Sequence, residues 1–165
     1  MNKLLKPLAL RCGAVVLAVA GLLIEGTHAM ANDNARSPLQ VAQEMVDAWN
    51  TLDLERIIAT FAEDGVLHSV MVEPVQGRAA LRQHLSGLLS GATRLELRLK
   101  NVAVAGNVVF LERLDDFDYK GRHGAVPVVG VMEIGEGKVK VWREYYDRAS
   151  LLREMGVEAI PKANH

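Results

Sequence analysis

The sequence predicts an α+β fold built on an antiparallel sheet. Three observations lead to this prediction. Apolar residues recur at helical spacing in the first half of the chain, the period changes to two after about residue 92, and short turns separate the alternating stretches. Helices followed by hairpin-joined strands are typical of this class. The chain has 165 residues and no internal repeat, so we expect one domain at 32–165 with its core at about 37–155.

The first 31 residues are predicted to be a secretory signal peptide. Three basic residues precede the apolar run 12–24, and small residues at 29–31 offer a cleavage site ahead of polar sequence. The run of 13 apolar residues is short for a membrane span, which needs roughly 20. An uncleaved N-terminal anchor is the alternative, and Glu25 directly after the run argues against it. We therefore expect an exported protein, periplasmic or secreted, with no stable membrane insertion after cleavage.

Composition excludes several classes of function. Without the leader the chain keeps 16 Lys and Arg against 19 Asp and Glu, a net charge near −3, and it carries no basic patch for nucleic acid. The single cysteine, Cys12, lies in the leader, so no disulfide framework, thiolate zinc site or cysteine nucleophile is expected. The sequence contains no glycine-rich dinucleotide loop, phosphate loop, nucleophile elbow or metal-type His/Glu spacing. We therefore expect neither a cofactor nor a metal.

Three helices are predicted ahead of the main strands. The first starts at a Ser37 N-cap with Pro38, the second at Asp53, and the third at about Arg78, with Gly91 as its stop. Their inward residues are Val41, Met45, Ala48 and Trp49 in the first, Ile57, Ile58 and Phe61 in the second, and Leu81, Leu85, Leu88 and Leu89 in the third.

The remaining chain is predicted to form strands. A turn at 63–65 leads into a strand at 66–72. Four alternating stretches follow, and a short tail helix closes the chain. The four stretches are 94–106, 108–119, 126–134 and 139–147.

Arg113 and Asp115 interrupt an otherwise apolar face of their predicted strand. Residues two apart on a strand point to the same side, so the two head groups can meet. Glu144 on the last strand likewise lies between aromatic residues. The neighbours on these two faces are Val109, Leu111, Phe117 and Tyr119 beside the Arg–Asp pair, and Trp142 and Tyr146 beside Glu144.

If both faces border one cavity, two carboxylates surround a single guanidinium. A dry cavity resists the surplus negative charge, so the two carboxyl groups are expected to share one proton. The result is one acid and one base, which together can protonate a substrate and activate a water. The alternatives are a buried ion network that fixes strand register, or an inverted strand orientation that turns these charges to solvent.

His68 is a further candidate for the same cavity. His68 is two residues from both Val66 and Val70 in the predicted strand at 66–72, so it should share their face of the strand. It could therefore be a third polar group of the cavity lining. The alternative is a core or rim histidine bonded to a backbone carbonyl.

Three segments resemble the limonene-1,2-epoxide hydrolase family, within the nuclear transport factor 2-like fold. They are ERLD at 112–115, GVMEIGEGKVKVWREYYD at 130–147 and FAEDGVLHSVMVEPVQGR at 61–78. The resemblance covers about 37–155. It implies a conical barrel, in which a curved, mainly antiparallel sheet and helices close a deep pocket. It also implies one-step hydrolysis, with Asp115 as the acid, Glu144 as the base and Arg113 as the bridge between them.

The chain departs from the family pattern at the base and at the water site. Glu144 replaces the family's Asp, and His68 and Val70 stand where the family holds its water with Tyr and Asn. Val70 cannot hold a water, whereas His68 could hold it or take over as the catalytic base. We expect hydrolysis of a small hydrophobic epoxide. A proton-transfer enzyme of the ketosteroid isomerase or polyketide cyclase type and a non-catalytic binding module are the alternatives, and a homodimer is implied by the resemblance alone. The predicted pocket residues are Val70, Phe117, Tyr119, Trp142 and Tyr146.

Overall fold

The computed structural model describes residues 36–157, which form four helices and six strands. The helices are α1 (Pro38–Asn50), α2 (Leu54–Thr60), α3 (Arg78–Leu89) and α4 (Arg148–Met155). The strands are β1 (Phe61–Ser69), β2 (Val75–Gln76), β3 (Ala92–Ala105), β4 (Val108–Tyr119), β5 (Arg122–Gly135) and β6 (Lys138–Tyr145). The predicted leader lies outside the described residues, so cleavage and export stay predictions. Over 36–157, no helix combines the length and apolar character that crossing a membrane requires.

All six strands belong to one sheet, in the order β2-β1-β6-β5-β4-β3. Neighbouring strands are antiparallel except β1 and β6, which run parallel. Tight turns join β4 to β5 and β5 to β6, and both turns contain two consecutive residues with positive φ, as the hairpin turn that matches strand twist requires. The predicted α+β fold with a curved, mainly antiparallel sheet and covering helices is confirmed.

Three helices cover one face of the sheet and form the main core with it. α1 begins at a capping box, in which the Ser37 side chain accepts a hydrogen bond from the Gln40 backbone and the Gln40 side chain accepts one from the Ser37 backbone. α1 then packs across β3, β4, β5 and β6. Each helix contributes residues with no exposed surface, among them Met45, Ile57 and Leu81. Burial of these apolar side chains supplies the main stabilisation of the fold.

The start of β1 differs from the prediction. Phe61 was expected on the second helix, but it opens β1 and pairs with Val139. The next pair in register is Val66 with Val141, so the segment between them bulges from the ladder. The turn predicted at 63–65 is this bulge. The strand also ends earlier than predicted, because the chain turns directly after Ser69.

Candidate active site

Arg113 joins two carboxyl groups that come from different strands. Its Nε donates to Asp115 Oδ1 at 2.7 Å and its Nη2 donates to Asp115 Oδ2 at 3.1 Å, both on β4. The same Nη2 donates to Oε2 of Glu144 on β6. Arg113 is 2% exposed and Glu144 is 8% exposed, so the bridge lies inside the protein. The alternative in which these charges face solvent is therefore excluded.

Burial and mutual attraction shift the pKa values of all three groups. Burial raises the pKa of Glu144 to about 7, although Arg113 opposes the shift. Burial likewise raises the pKa of Asp115 against the effect of Arg113. Burial disfavours the charged form of Arg113, but Glu144 and Asp115 outweigh it and raise its pKa. The site therefore holds one cation between two carboxyl groups, and each of these keeps a proton to higher pH than an exposed carboxyl group does.

A cavity of about 750 Å³ opens beside the three charged groups. Its walls come from α1, α3, α4 and the concave face of the sheet, and most of the lining side chains are apolar. The Trp142 ring packs against Arg113, with its centroid 5.4 Å from the guanidinium carbon. The Trp49 ring packs edge-on against Trp142, and the two ring centroids are 5.9 Å apart. Four of the predicted pocket residues line the cavity, namely Phe117, Tyr119, Trp142 and Tyr146.

The prediction that His68 and Val70 line the cavity is wrong. The register of β1 with β6 opposes Leu67 to Trp142 and Ser69 to Glu144, so Leu67 and Ser69 share the cavity face. His68 lies opposite Arg143 on the other face, and Val70 lies past the end of β1 and is 36% exposed. The buried face of a strand cannot be predicted from its own sequence when apolar residues occur at both even and odd positions, as Val66 and Leu67 do here.

Ser69 is one of four polar residues of the cavity lining that the sequence did not predict, together with Glu73, His84 and Arg148. The Tyr146 hydroxyl donates to Ser69 Oγ at 3.1 Å, which places two hydroxyl groups together on the cavity wall. Ser69 lies opposite Glu144 in the ladder, and Tyr146 follows Glu144 by two residues, just past the end of β6. Both hydroxyl-bearing residues therefore line the same cavity as Glu144. Among the described residues, no group of three His, Cys, Asp or Glu side chains is placed to hold a metal ion.

Residues 42–142 match the SnoaL-like domain family, and this stretch is more than half of the chain. The chain belongs to that family. A stretch of 102 residues is 35% identical to the epoxide hydrolase LasB of Streptomyces lasalocidi, which covers 59% of this chain and 36% of that protein. The SnoaL-like chain thus spans about a third of the length of this curated relative.

Solved structures show the same fold at low sequence identity. An LEH-like epoxide hydrolase of M. tuberculosis has a TM-score of 0.64 and 19% identity, covering 72% of this chain and 88% of the other. A protein of Shewanella denitrificans that is assigned as a SnoaL-like polyketide cyclase has a TM-score of 0.66 and 12% identity. The match covers 72% of this chain and 96% of the other. A protein of ketosteroid isomerase-like fold from Catenulispora acidiphila has a TM-score of 0.65 and 18% identity, covering 74% and 96%.

Proposed function

We propose that this SnoaL-like protein hydrolyses a hydrophobic epoxide to a diol in one step. The observation that carries the proposal is the buried bridge from Asp115 through Arg113 to Glu144, set in the wall of an apolar cavity. When one guanidinium holds an acid and a base, the acid can protonate the leaving oxygen while the base removes a proton from the nucleophile. The 35% identity to an epoxide hydrolase over 102 residues supports the same reaction class.

In the proposed reaction, one carboxylic acid protonates the epoxide oxygen while the carbon–oxygen bond breaks. A water oxygen forms the new bond to that carbon, and the carboxylate takes the proton that the water loses. As the family resemblance implies, Asp115 donates and Glu144 accepts. A base whose pKa is raised to about 7 suits proton abstraction near neutral pH. The Ser69 and Tyr146 hydroxyls beside Glu144 are suited to orient the water.

The size of the cavity bears on the substrate. A volume of about 750 Å³ falls within the range of roughly 300–1,000 Å³ that holds drug-sized ligands. A small epoxide would fill only part of it and would gain little contact with Phe117 and Tyr119, which line the wall beyond Asp115. We therefore propose a substrate with a bulky apolar body rather than the small epoxide that the sequence suggested.

The test is turnover of a panel of apolar epoxides in water enriched in heavy oxygen, with products read by mass spectrometry. We expect a diol that carries one labelled oxygen. Asp115→Asn should lower the rate by about 10²–10⁴-fold, the usual contribution of a general acid. Asp118→Asn is the matched control, because Asp118 is bound to Arg94 outside the cavity lining. Absence of any diol above the level of Asp115→Asn, from folded protein, would refute the proposal.

The second candidate is proton transfer beside a carbonyl, as in an isomerase or cyclase. The hydroxyl pair of Tyr146 and Ser69 favours it, because the Ser69 hydroxyl accepts from Tyr146 and keeps its own proton to donate to a developing oxyanion in the cavity that Asp115 also lines. In that case Asp115 is the base and no water is consumed. An apolar β,γ-unsaturated ketone added to the panel separates the two. An isomerase converts the ketone to its conjugated isomer without consuming water and forms no diol from the epoxides, whereas a hydrolase forms the labelled diol.

A further inference from the structure

The bridge between Arg113 and Glu144 passes over an intervening strand. Arg113 is on β4 and Glu144 is on β6, while β5 pairs with both. Neighbouring strands lie about 4.8 Å apart, so the two backbones are separated by about 10 Å. The guanidinium must therefore lie across the face of β5 to reach the carboxyl group. Any side chain that β5 projected at the crossing point would stand in its way.

The residue at the crossing point is Gly130. It lies opposite Glu144 in the β5–β6 ladder and opposite Leu111 in the β4–β5 ladder. A Cβ atom at this position would overlap Arg113 Nη1 and would lie 2.9 Å from Trp142 Nε1 and 3.0 Å from Glu144 Oε1. The φ angle of Gly130 is not positive, so its backbone could carry an ordinary side chain. Glycine is therefore required because the side chains of Arg113, Trp142 and Glu144 occupy the position that a Cβ atom would take.

These three atoms share a further property. Arg113 Nη1, Trp142 Nε1 and Glu144 Oε1 are all buried, and none makes a hydrogen bond of good geometry. Arg113 and Glu144 are held by the other bonds of their side chains, whereas Trp142 is held by packing alone, and all three atoms lie close over Gly130. Arg113 cannot swing aside to admit a Cβ, because both carboxyl groups bind its remaining nitrogens.

We propose that Gly130 is a positioning residue, whose missing side chain lets the Arg113–Glu144 bridge cross β5 and fixes both groups at the cavity wall. The catalytic consequence rests on the proposed function, whereas the positioning itself does not. The charged groups that face Glu144 are Arg113 and Asp115, both from β4. The other titratable side chains of the cavity lining are Glu73, His84, Tyr119, Tyr146 and Arg148.

The experiment substitutes Gly130→Ala in three backgrounds, which are the wild type, Arg113→Ala and Glu144→Ala. Alanine normally stabilises a strand relative to glycine, so a neutral site predicts a higher Tm in every background. Our proposal predicts that Tm falls by several degrees in the wild type, and by less in Glu144→Ala, where Arg113 keeps only its bonds to Asp115. The fall should be smallest in Arg113→Ala, where the overlapping Nη1 is absent. Gly135→Ala on the same strand is the matched control, since its Cβ would meet only the flexible side chain of Lys140.

Two readouts separate positioning from a merely structural effect. Trp49 and Trp142 are the only tryptophans of the chain and both line the cavity. Their fluorescence should therefore report the titration of Glu144, with a midpoint that Gly130→Ala moves and Gly135→Ala leaves in place. On an epoxide that is turned over, Gly130→Ala should lower kcat by at least about tenfold with little change in KM, since misplacement of a catalytic group by about 1 Å can cost a hundredfold.

Equal Tm changes in all three backgrounds would overturn the proposal, as would a Gly130→Ala variant with wild-type Tm and an unmoved fluorescence midpoint. Neither measurement uses a substrate. A protein that turns over no epoxide would therefore refute the proposed function and leave the positioning test intact.

Discussion

Replacement of Glu144 by glutamine should make the protein more stable at high pH while removing the proposed base. The amide copies the shape of the protonated acid and cannot ionise. The wild-type carboxyl has a folded pKa of about 7 against an ordinary value of 4.5. The folded protein therefore binds the proton more tightly than the unfolded chain does. The stabilisation is fully present below about pH 4.5 and is lost as the pH rises through about 7.

The size of the effect follows from the two pKa values. Their difference, from 4.5 to about 7, corresponds to about 3 kcal/mol in the free energy of unfolding, since a tenfold change in an equilibrium constant is worth about 1.4 kcal/mol. Solvent screening does not reduce this figure much, because Glu144 is only 8% exposed. Against a typical domain stability of about 5–15 kcal/mol, a loss of that size is readily measured.

The assay is guanidinium chloride unfolding of wild type and Glu144→Gln, followed by tryptophan fluorescence from about pH 4 to about pH 8. The difference between the two free energies of unfolding should change by about 3 kcal/mol in favour of the variant across that range. If the glutamine also shifts the free energy of unfolding by the same amount at every pH, that shift does not affect the pH-dependent difference. Parallel curves for the two proteins would refute the reasoning and show that Glu144 ionises as readily in the folded as in the unfolded state.

Two further predictions concern the bridge and the cavity. Arg113→Met leaves two buried carboxyl groups without a counter-ion, so the free energy of unfolding should drop by about 3–5 kcal/mol at pH 8. The drop should be clearly smaller at pH 4, because Glu144, whose pKa is raised to about 7, is then buried without a charge. Denaturation at the two pH values measures the difference, and equal losses would contradict the prediction. In a series of epoxides with growing apolar bodies, kcat/KM should rise as the substrate fills the cavity of about 750 Å³ and then fall; a maximum at the smallest member would contradict a bulky substrate.

The helices and strands were largely predictable because their signals are local. The Ser37 and Asp53 caps, the alternating stretches and the glycine-containing hairpin turns each involve a few consecutive residues. The sequence reading went wrong at β1, where the strand bulges and pairs in parallel with β6. Both features depend on residues about 75 positions apart in the chain, and no local pattern reports them.

The candidate site divides in the same way. Arg113 and Asp115 lie two apart on one strand, so the sequence alone places their head groups on one face, and their apolar neighbours indicate burial. The same reasoning placed Glu144 beside Trp142 and Tyr146. By contrast, the sequence reading put His68 and Val70 at the cavity, where the structure has Leu67 and Ser69.

The sequence by itself determined which residues are charged within apolar strands, and so which groups could form an acid–base pair. Only the tertiary structure decided that Glu144 meets Arg113 across β5, that Gly130 leaves room for this crossing, and that Ser69 is the residue of β1 beside them. The physical reason is the range of each interaction. Side-chain alternation is a property of one strand, whereas the choice of facing residues is fixed by pairing between strands that are far apart in the chain.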